Sequence, residues 1–243
     1  MSIQLLPVVG LPEIQAGADL AQLITNRIEL QESDVLVIAQ KIISKAEGRF
    51  RSLAEVIPEP RARELGERLG RDPRLVQLVL DESTRLLREE RVLISETRQG
   101  FICANAGIDQ SNVPGEDTAL LLPEDCDRSA ARLRQRLIEL SGCQLAVIIS
   151  DTFGRPWRLG QVNVALGVAG IAPIADHRGR KDDFGREMEA TEVAVADELT
   201  SAAELVTGKT ERVPVVVIRG FPITNTAGSG QDLLRSKEED LFR

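Results

Sequence analysis

Three uninterrupted apolar runs constrain this chain more than any other feature. They fall at 34–43, 145–150 and 213–220, and they are dense in valine and isoleucine. A run without polar alternation does not suit a half-exposed strand; it fits a strand covered on both faces, with helices supplying the cover. Helical spacing of apolar residues predicts those helices over 19–28, 59–69, 73–87, 129–140 and 187–206. Asp72-Pro73 reads as an N-cap followed by the first helical position, and Gly142 is placed to end the 129–140 helix. Arg98-Gln99-Gly100 separates apolar stretches at 91–97 and 101–104, the pattern of a hairpin. Strands alternate with helices but hairpins intervene, so the expected class is α+β or mixed α/β.

Composition narrows the function. With 243 residues and 42% hydrophobic content the chain has material for one large domain or two small intertwined ones, and main-state disorder is excluded. Acidic residues number 38 against 30 basic, a formal charge of −8, which argues against a nucleic-acid-coating protein. No basic segment followed by an apolar core stands at the start, and no run is long enough to span a bilayer, so no membrane partner is expected. Cys103, Cys126 and Cys143 are an odd, widely spaced set that reads as small buried hydrophobes in a reducing cytoplasm. A single histidine, His177, excludes a His-rich metal site.

The strongest local chemical signal is Ser150-Asp151-Thr152, at the carboxyl end of an apolar strand. A carboxylate beside a hydroxyl can ligate a hard cation through oxygen, and Asp109, in a Gly- and Asn-bearing loop, supplies a second carboxylate. The competing reading is ordinary turn chemistry, with both aspartates accepting backbone amides. Lys45, Arg155, Arg158, Arg178, Arg180 and Lys181 are candidate anion clamps, each also readable as plain surface charge. Trp157 reads as a core residue, or as the wall of a pocket. Gly208-Lys209-Thr210 is no Walker loop, because Ala203 replaces the first glycine and the segment follows a helix instead of opening one. Rossmann, nucleophile-elbow and zinc-protease signatures are missing too.

Several stretches together resemble the coenzyme F-420 gamma-glutamyl ligases. They are Gly10-Leu11-Pro12, the segment from Ile43 through Lys45 to Arg49, Asn105-Ala106-Gly107-Ile108-Asp109 with Ser111-Asn112, Asp151-Thr152 with Gly154-Arg155 and Trp157-Arg158, Gly179-Arg180 through Arg186, and Val195-Ala196-Asp197-Glu198. The resemblance implies a two-part mixed α/β monomer that interlocks with a second copy as an intertwined homodimer, in a stand-alone form ending at Arg243. It implies a GTP-dependent ligase that joins L-glutamate to a deazaflavin coenzyme precursor with a phospholactyl tail, through an acyl phosphate. Leu11, Pro12, Glu13, Ile14, Gln40, Lys41, Lys45, Asn112, Gly208 and Lys209 fall on its nucleotide-binding positions. Asp109, Asp151 and Thr152 fall on its divalent-metal positions, for magnesium or manganese with potassium as an additional candidate, and Lys45 and Arg155 on its catalytic cations. Lys209 departs from the pattern, standing where archaeal relatives would carry an acidic ligand of a second metal. The alternatives are an acid–amine ligase with another acceptor, and a nucleotide sensor without turnover.

Overall fold

Each apolar run contributes a strand to one five-stranded sheet. The structure, a computed structural model, describes residues 2–115, 117–208, 211–223 and 227–240. The chain opens with β1 (Gln4–Pro7), α1 (Leu20–Thr25), β2 (Val35–Ala39) and α2 (Gln40–Ala46). A middle section follows, made of β3 (Phe50–Ser52), α3 (Pro60–Leu69), α4 (Pro73–Asp81), β4 (Ser83–Glu90), β5 (Val92–Thr97), β6 (Ile102–Ala104) and β7 (Thr118–Leu120). Then come α5 (Cys126–Ser141), the hairpin β8 (Ala146–Arg155) and β9 (Arg158–Ala169), the short pair β10 (Ala175–Asp176) and β11 (Glu192–Val193), α6 (Val195–Thr207) and β12 (Val215–Arg219).

The large sheet runs β1-β12-β2-β8-β9, with β2 and β8 parallel and the other pairs antiparallel. Side chains alternate across it, so Leu36, Ile38, Val147, Ile149 and Val217 face α1 and α5. Val35, Val37, Ile148, Val216 and Ile218 face α6 on the other side. Both faces are dry, as the uninterrupted runs require, and each such side chain contributes roughly 1.5–3 kcal/mol by leaving water. The middle section has its own cluster, in which Leu65, Val76, Val79 and Leu93 close over Ala106. Asp34, fully buried just before β2, takes Arg219 of β12 in a two-pronged pair at 2.9 and 2.8 Å and also accepts the Gln31 amide at 2.8 Å.

Both helix caps appear where expected: Asp72 accepts the Arg74 amide at 2.8 Å, and Gly142 ends α5 in the left-handed region at φ 74°. Four expectations are corrected. The 34–43 run is strand only to Ala39, and the rest is helix α2, because an apolar run alone does not distinguish a buried strand from a buried helix. The 73–87 helix stops at Asp81, and Ser83 begins β4, which pairs with β5 through two register shifts. The expected 187–206 helix starts only at Val195. Trp157 is not in the core: it sits at the β8–β9 tip, 81% exposed, with φ 55°. The glycine- and alanine-rich 160–172 segment supplies most of strand β9; at Gly167 a Cβ would lie 2.2 Å from the Cys126 carbonyl oxygen, so β9 and α5 meet backbone to backbone.

Candidate active site

The turn from β2 into α2 organises the site. Lys41 and Lys45 stand one helical turn apart, about 6 Å along the axis; on a strand the same spacing would be about 13 Å. Lys45 is 5% exposed, and its ammonium pairs with the carboxylate of Glu13 on the loop after β1. Lys41 pairs with Asp109 at 2.7 Å and donates to the Ser111 hydroxyl at 2.8 Å. Two elements far apart in sequence thus meet the same short helix. Gln40 is turned inward, where its Oε1 accepts the Ser44 hydroxyl at 2.9 Å.

Asp109 is aimed by backbone geometry. Asn105, Ala106 and Gly107 have φ of 52°, 53° and 70°, three successive left-handed residues of which two carry a Cβ. That conformation costs about 1 kcal/mol or more per non-glycine residue and persists only where the surroundings enforce it. Ala106 is packed under Leu93 and Val76, which holds the turn. Asp109 then bridges Leu120 of β7, exchanging backbone hydrogen bonds at 3.0 and 2.8 Å, and accepts the Ser111 amide at 2.6 Å. The turn reading of Asp109 is thus observed, and its other carboxylate oxygen pairs with the Lys41 ammonium. Burial pushes its carboxyl up, but the Lys41 and Ser111 hydrogen bonds outweigh burial and hold it below the ordinary value. Lys41→Ala removes the main opposing force, so the Asp109 pKa rises; carbon-detected NMR titration reads it, and an unchanged midpoint would disprove this account. A carboxyl depressed in this way adds stability above its unfolded pKa, and that stability is lost as pH falls through the folded value.

Asp151 and Thr152 lie on strand β8, not in a loop. Parallel pairing with β2 ends at Ala39 and Ser150, so both stand just past the carboxyl end of β2, beside the start of α2. Thr152 pairs across the hairpin with Asn163 and donates its hydroxyl to Asn163 Oδ1 at 2.7 Å. Asn163 Nδ2 donates in turn to Glu204 on α6 at 2.6 Å. Cys103 connects the two carboxylate segments. Burial first, and the Asp151 charge second, push its thiol up to about 12, while the Gly107 backbone hydrogen bond pulls the other way. The thiol is neutral at pH 7.

Asp109, Asp151 and Thr152 offer hard oxygen donors, and among the described residues no group of three or more His, Cys, Asp or Glu forms a ready-made cage. A hard cation held by so few protein oxygens would have to keep water or phosphate oxygens in its remaining positions.

The nucleotide positions read from sequence are only partly gathered. Leu11 and Ile14 pack into the core beside α2, Pro12 is exposed, and Asn112 is exposed with φ 55°. Gly208 follows α6 with φ 62° and ψ −178°, a conformation open essentially to glycine alone. Lys209 lies outside the described residues. Arg155 is at the hairpin tip, bonded to the Leu159 carbonyl at 2.6 Å, away from the Lys41 cluster along the arm. Arg178 pairs with Asp176 at 2.7 Å and Glu192 at 3.1 Å on the β10–β11 surface. Sequence reading missed Asn163 and Glu204; the one available signal was a lone amide beside an apolar strand segment.

Comparison with known proteins decides the family. The profile described as F420-0:Gamma-glutamyl ligase matches residues 9–220. The chain belongs to the F420-0:gamma-glutamyl ligase family. Among its relatives, the coenzyme F420:L-glutamate ligase of Methanothermobacter thermautotrophicus is 49% identical, with both chains covered completely. The protein of that name from Archaeoglobus fulgidus is 45% identical over 100% of this chain and 97% of its own. The one from Methanocaldococcus jannaschii is 43% identical over 97% and 96%. These relatives are thus matched end to end or nearly so.

Proposed function

We propose that this chain is a GTP-dependent ligase that joins L-glutamate to the phospholactyl carboxylate of the deazaflavin precursor, forming an amide and then gamma-glutamyl links. The observation that carries this reading is the end-to-end identity, up to 49%, with ligases named for coenzyme F420 and L-glutamate. The gathering of Lys41, Lys45, Glu13 and Asp109 along α2 supports it.

A carboxylate is a poor electrophile until one oxygen becomes a leaving group. In the proposed sequence an acceptor carboxylate oxygen attacks the γ-phosphorus of GTP and GDP departs, leaving an acyl phosphate. The glutamate amine then adds to the carbonyl carbon, the C–O bond to phosphate breaks, phosphate leaves with the electron pair, and the amine gives up a proton. Lys45, desolvated and fixed by Glu13, is placed to stabilise charge on the transferring phosphoryl group, with Lys41 one turn away. Leu11, Pro12, Ile14, Gln40, Asn112, Gly208 and Lys209 are the proposed nucleotide contacts. Bound through Asp109, Asp151 and Thr152, magnesium or manganese would neutralise phosphate charge, with potassium as an additional candidate.

The proposal extends to a cytoplasmic homodimer of two-part chains. The β8–β9 tip leaves Trp157 and Leu159 81% and 96% exposed, an apolar end suited to a second copy, and it would carry Arg155 to that copy's site. Among the described residues no helix is long and apolar enough to cross a membrane.

The test is mass spectrometry after incubation with glutamate-free precursor, L-glutamate, GTP and either metal, each omitted in turn. Glutamyl products that require GTP are expected. Folded, GTP-binding protein that yields none would overturn the proposal in favour of another acceptor or a sensor.

A further inference from the structure

A cavity in the middle section gathers three arginines from two segments far apart in sequence. Arg49 and Arg51 stand two positions apart at the start of β3, a spacing that puts extended-chain side chains on one face. Arg98 enters from the turn between β5 and β6. The three line a cavity of about 350 Å³, the size of a small-molecule site, with Glu82, Glu124 and Leu122 in its wall. The turn that carries Arg98 is held in place. Gln99 Nε2 donates to the Pro123 carbonyl at 2.8 Å, and Gln99 Oε1 accepts the Cys126 amide at 2.9 Å.

The three guanidinium groups are not equivalent. Arg49 is 8% exposed and donates to the Leu122 carbonyl at 2.8 Å, to Glu124 at 3.1 Å and to Glu82 at 3.3 Å. Its charge is met by those two carboxylates, which makes it part of the wall. Arg51 and Arg98 each make one side-chain donation, to the backbone carbonyls of Phe50 and Asp81, and neither has a carboxylate partner among the described residues. Arg61, Arg68, Arg74 and Arg85 of the same section do pair with carboxylates. The cavity thus presents two uncompensated guanidinium forks, the geometry that matches an oxyanion.

We propose that this cavity is an anion-binding site in which Arg51 and Arg98 hold the carboxylate or phosphate group of a small molecule, above a fixed floor of Arg49 and its two glutamates. Three guanidinium groups against two carboxylates leave one positive charge in excess, which favours an anionic occupant. Ala106, in the left-handed turn ahead of Asp109, lines the cavity too, so an occupant rests against the segment that aims that carboxylate. None of the proposed nucleotide or metal positions lines the cavity, so the inference stands independently of glutamyl transfer.

The test is arginine modification by phenylglyoxal, read residue by residue by mass spectrometry, with inorganic phosphate or glutarate present and chloride at matched ionic strength as reference. At about ten times the half-protecting concentration, Arg51 and Arg98 should both be modified about 10-fold more slowly. Arg88, exposed on β4, should be modified at its reference rate. Slowing by phosphate alone assigns a phosphate-bearing ligand, by glutarate alone a carboxylate-bearing one, and by both a site that reads charge; each supports the proposal. In Arg51→Gln the concentration that protects Arg98 should rise about 10-fold or more, because one charge-assisted fork is lost. Arg51→Lys, which keeps the charge without the fork, takes its place if the glutamine variant does not fold. No slowing beyond chloride with either probe, or slowing of one arginine without the other, overturns the site. Protection of Arg98 in the Arg51 variant at the parent's concentration overturns it as well, since the two arginines would then act separately.

Discussion

Asp151→Asn should lower kcat/KM for glutamyl transfer on the order of 10³-fold, about 4 kcal/mol of transition-state stabilisation, while the protein stays folded. The side chain keeps its volume and its place on β8, where backbone pairing with Val164 holds the strand whatever the side chain. What disappears is a negative charge beside the proposed phosphate path. An internal reporter accompanies the kinetic one. Since the Asp151 charge is the second cause of the raised Cys103 thiol, after burial, that thiol should titrate lower in the variant but still above the ordinary range. Full activity in Asp151→Asn would remove this carboxylate from the site. Loss of activity with an unchanged thiol would mean that the carboxylate does not face Cys103.

The second large effect concerns stability. Arg219→Met should destabilise the protein by about 3–5 kcal/mol, measured by urea unfolding. The reason is what the substitution leaves behind: Asp34 has no solvent contact and would keep only the Gln31 amide against its charge. Arg219 also donates to the Glu29 carbonyl at 2.9 Å, so the loop before β2 loosens too. Adding Asp34→Asn to Arg219→Met should recover part of the loss, because it removes the orphaned charge. A loss below about 1 kcal/mol for Arg219→Met would show that water reaches Asp34 on relaxation.

What could be read from the sequence follows from the kind of signal. Val35 to Ile38, Ala146 to Ile149 and Val215 to Ile218 announce buried strands because nothing polar interrupts them, and Asp72 and Gly142 announce helix ends through specific backbone chemistry. The switch from β2 to α2 gives no such notice. Ile42 and Ile43 suit either element, and only the packing decides, yet that switch is what brings Lys41 and Lys45 together. Ser83 to Leu87 keeps helical-looking leucines after α4, and pairing with β5 overrides them. In the site, Lys45 and Asp151 are visible as charged residues just past apolar runs, and Asp109 as a carboxylate in a Gly- and Asn-bearing loop. Asn163 and Glu204 are not, since their meaning depends on a cross-strand register and a helix face that exist only after folding.

The order β1-β12-β2 has a consequence for how the chain reaches its fold. The strand that joins the first two is the last one made, nearly the whole length of the polypeptide later. Until Val215 to Arg219 emerge, β1 lacks its neighbour and β2 presents an open, apolar edge. Contacts of such long separation slow folding and expose intermediates to association. Shortened chains ending before Val215 would lack the strand that joins β1 to β2, so the sheet can close only once that segment is available.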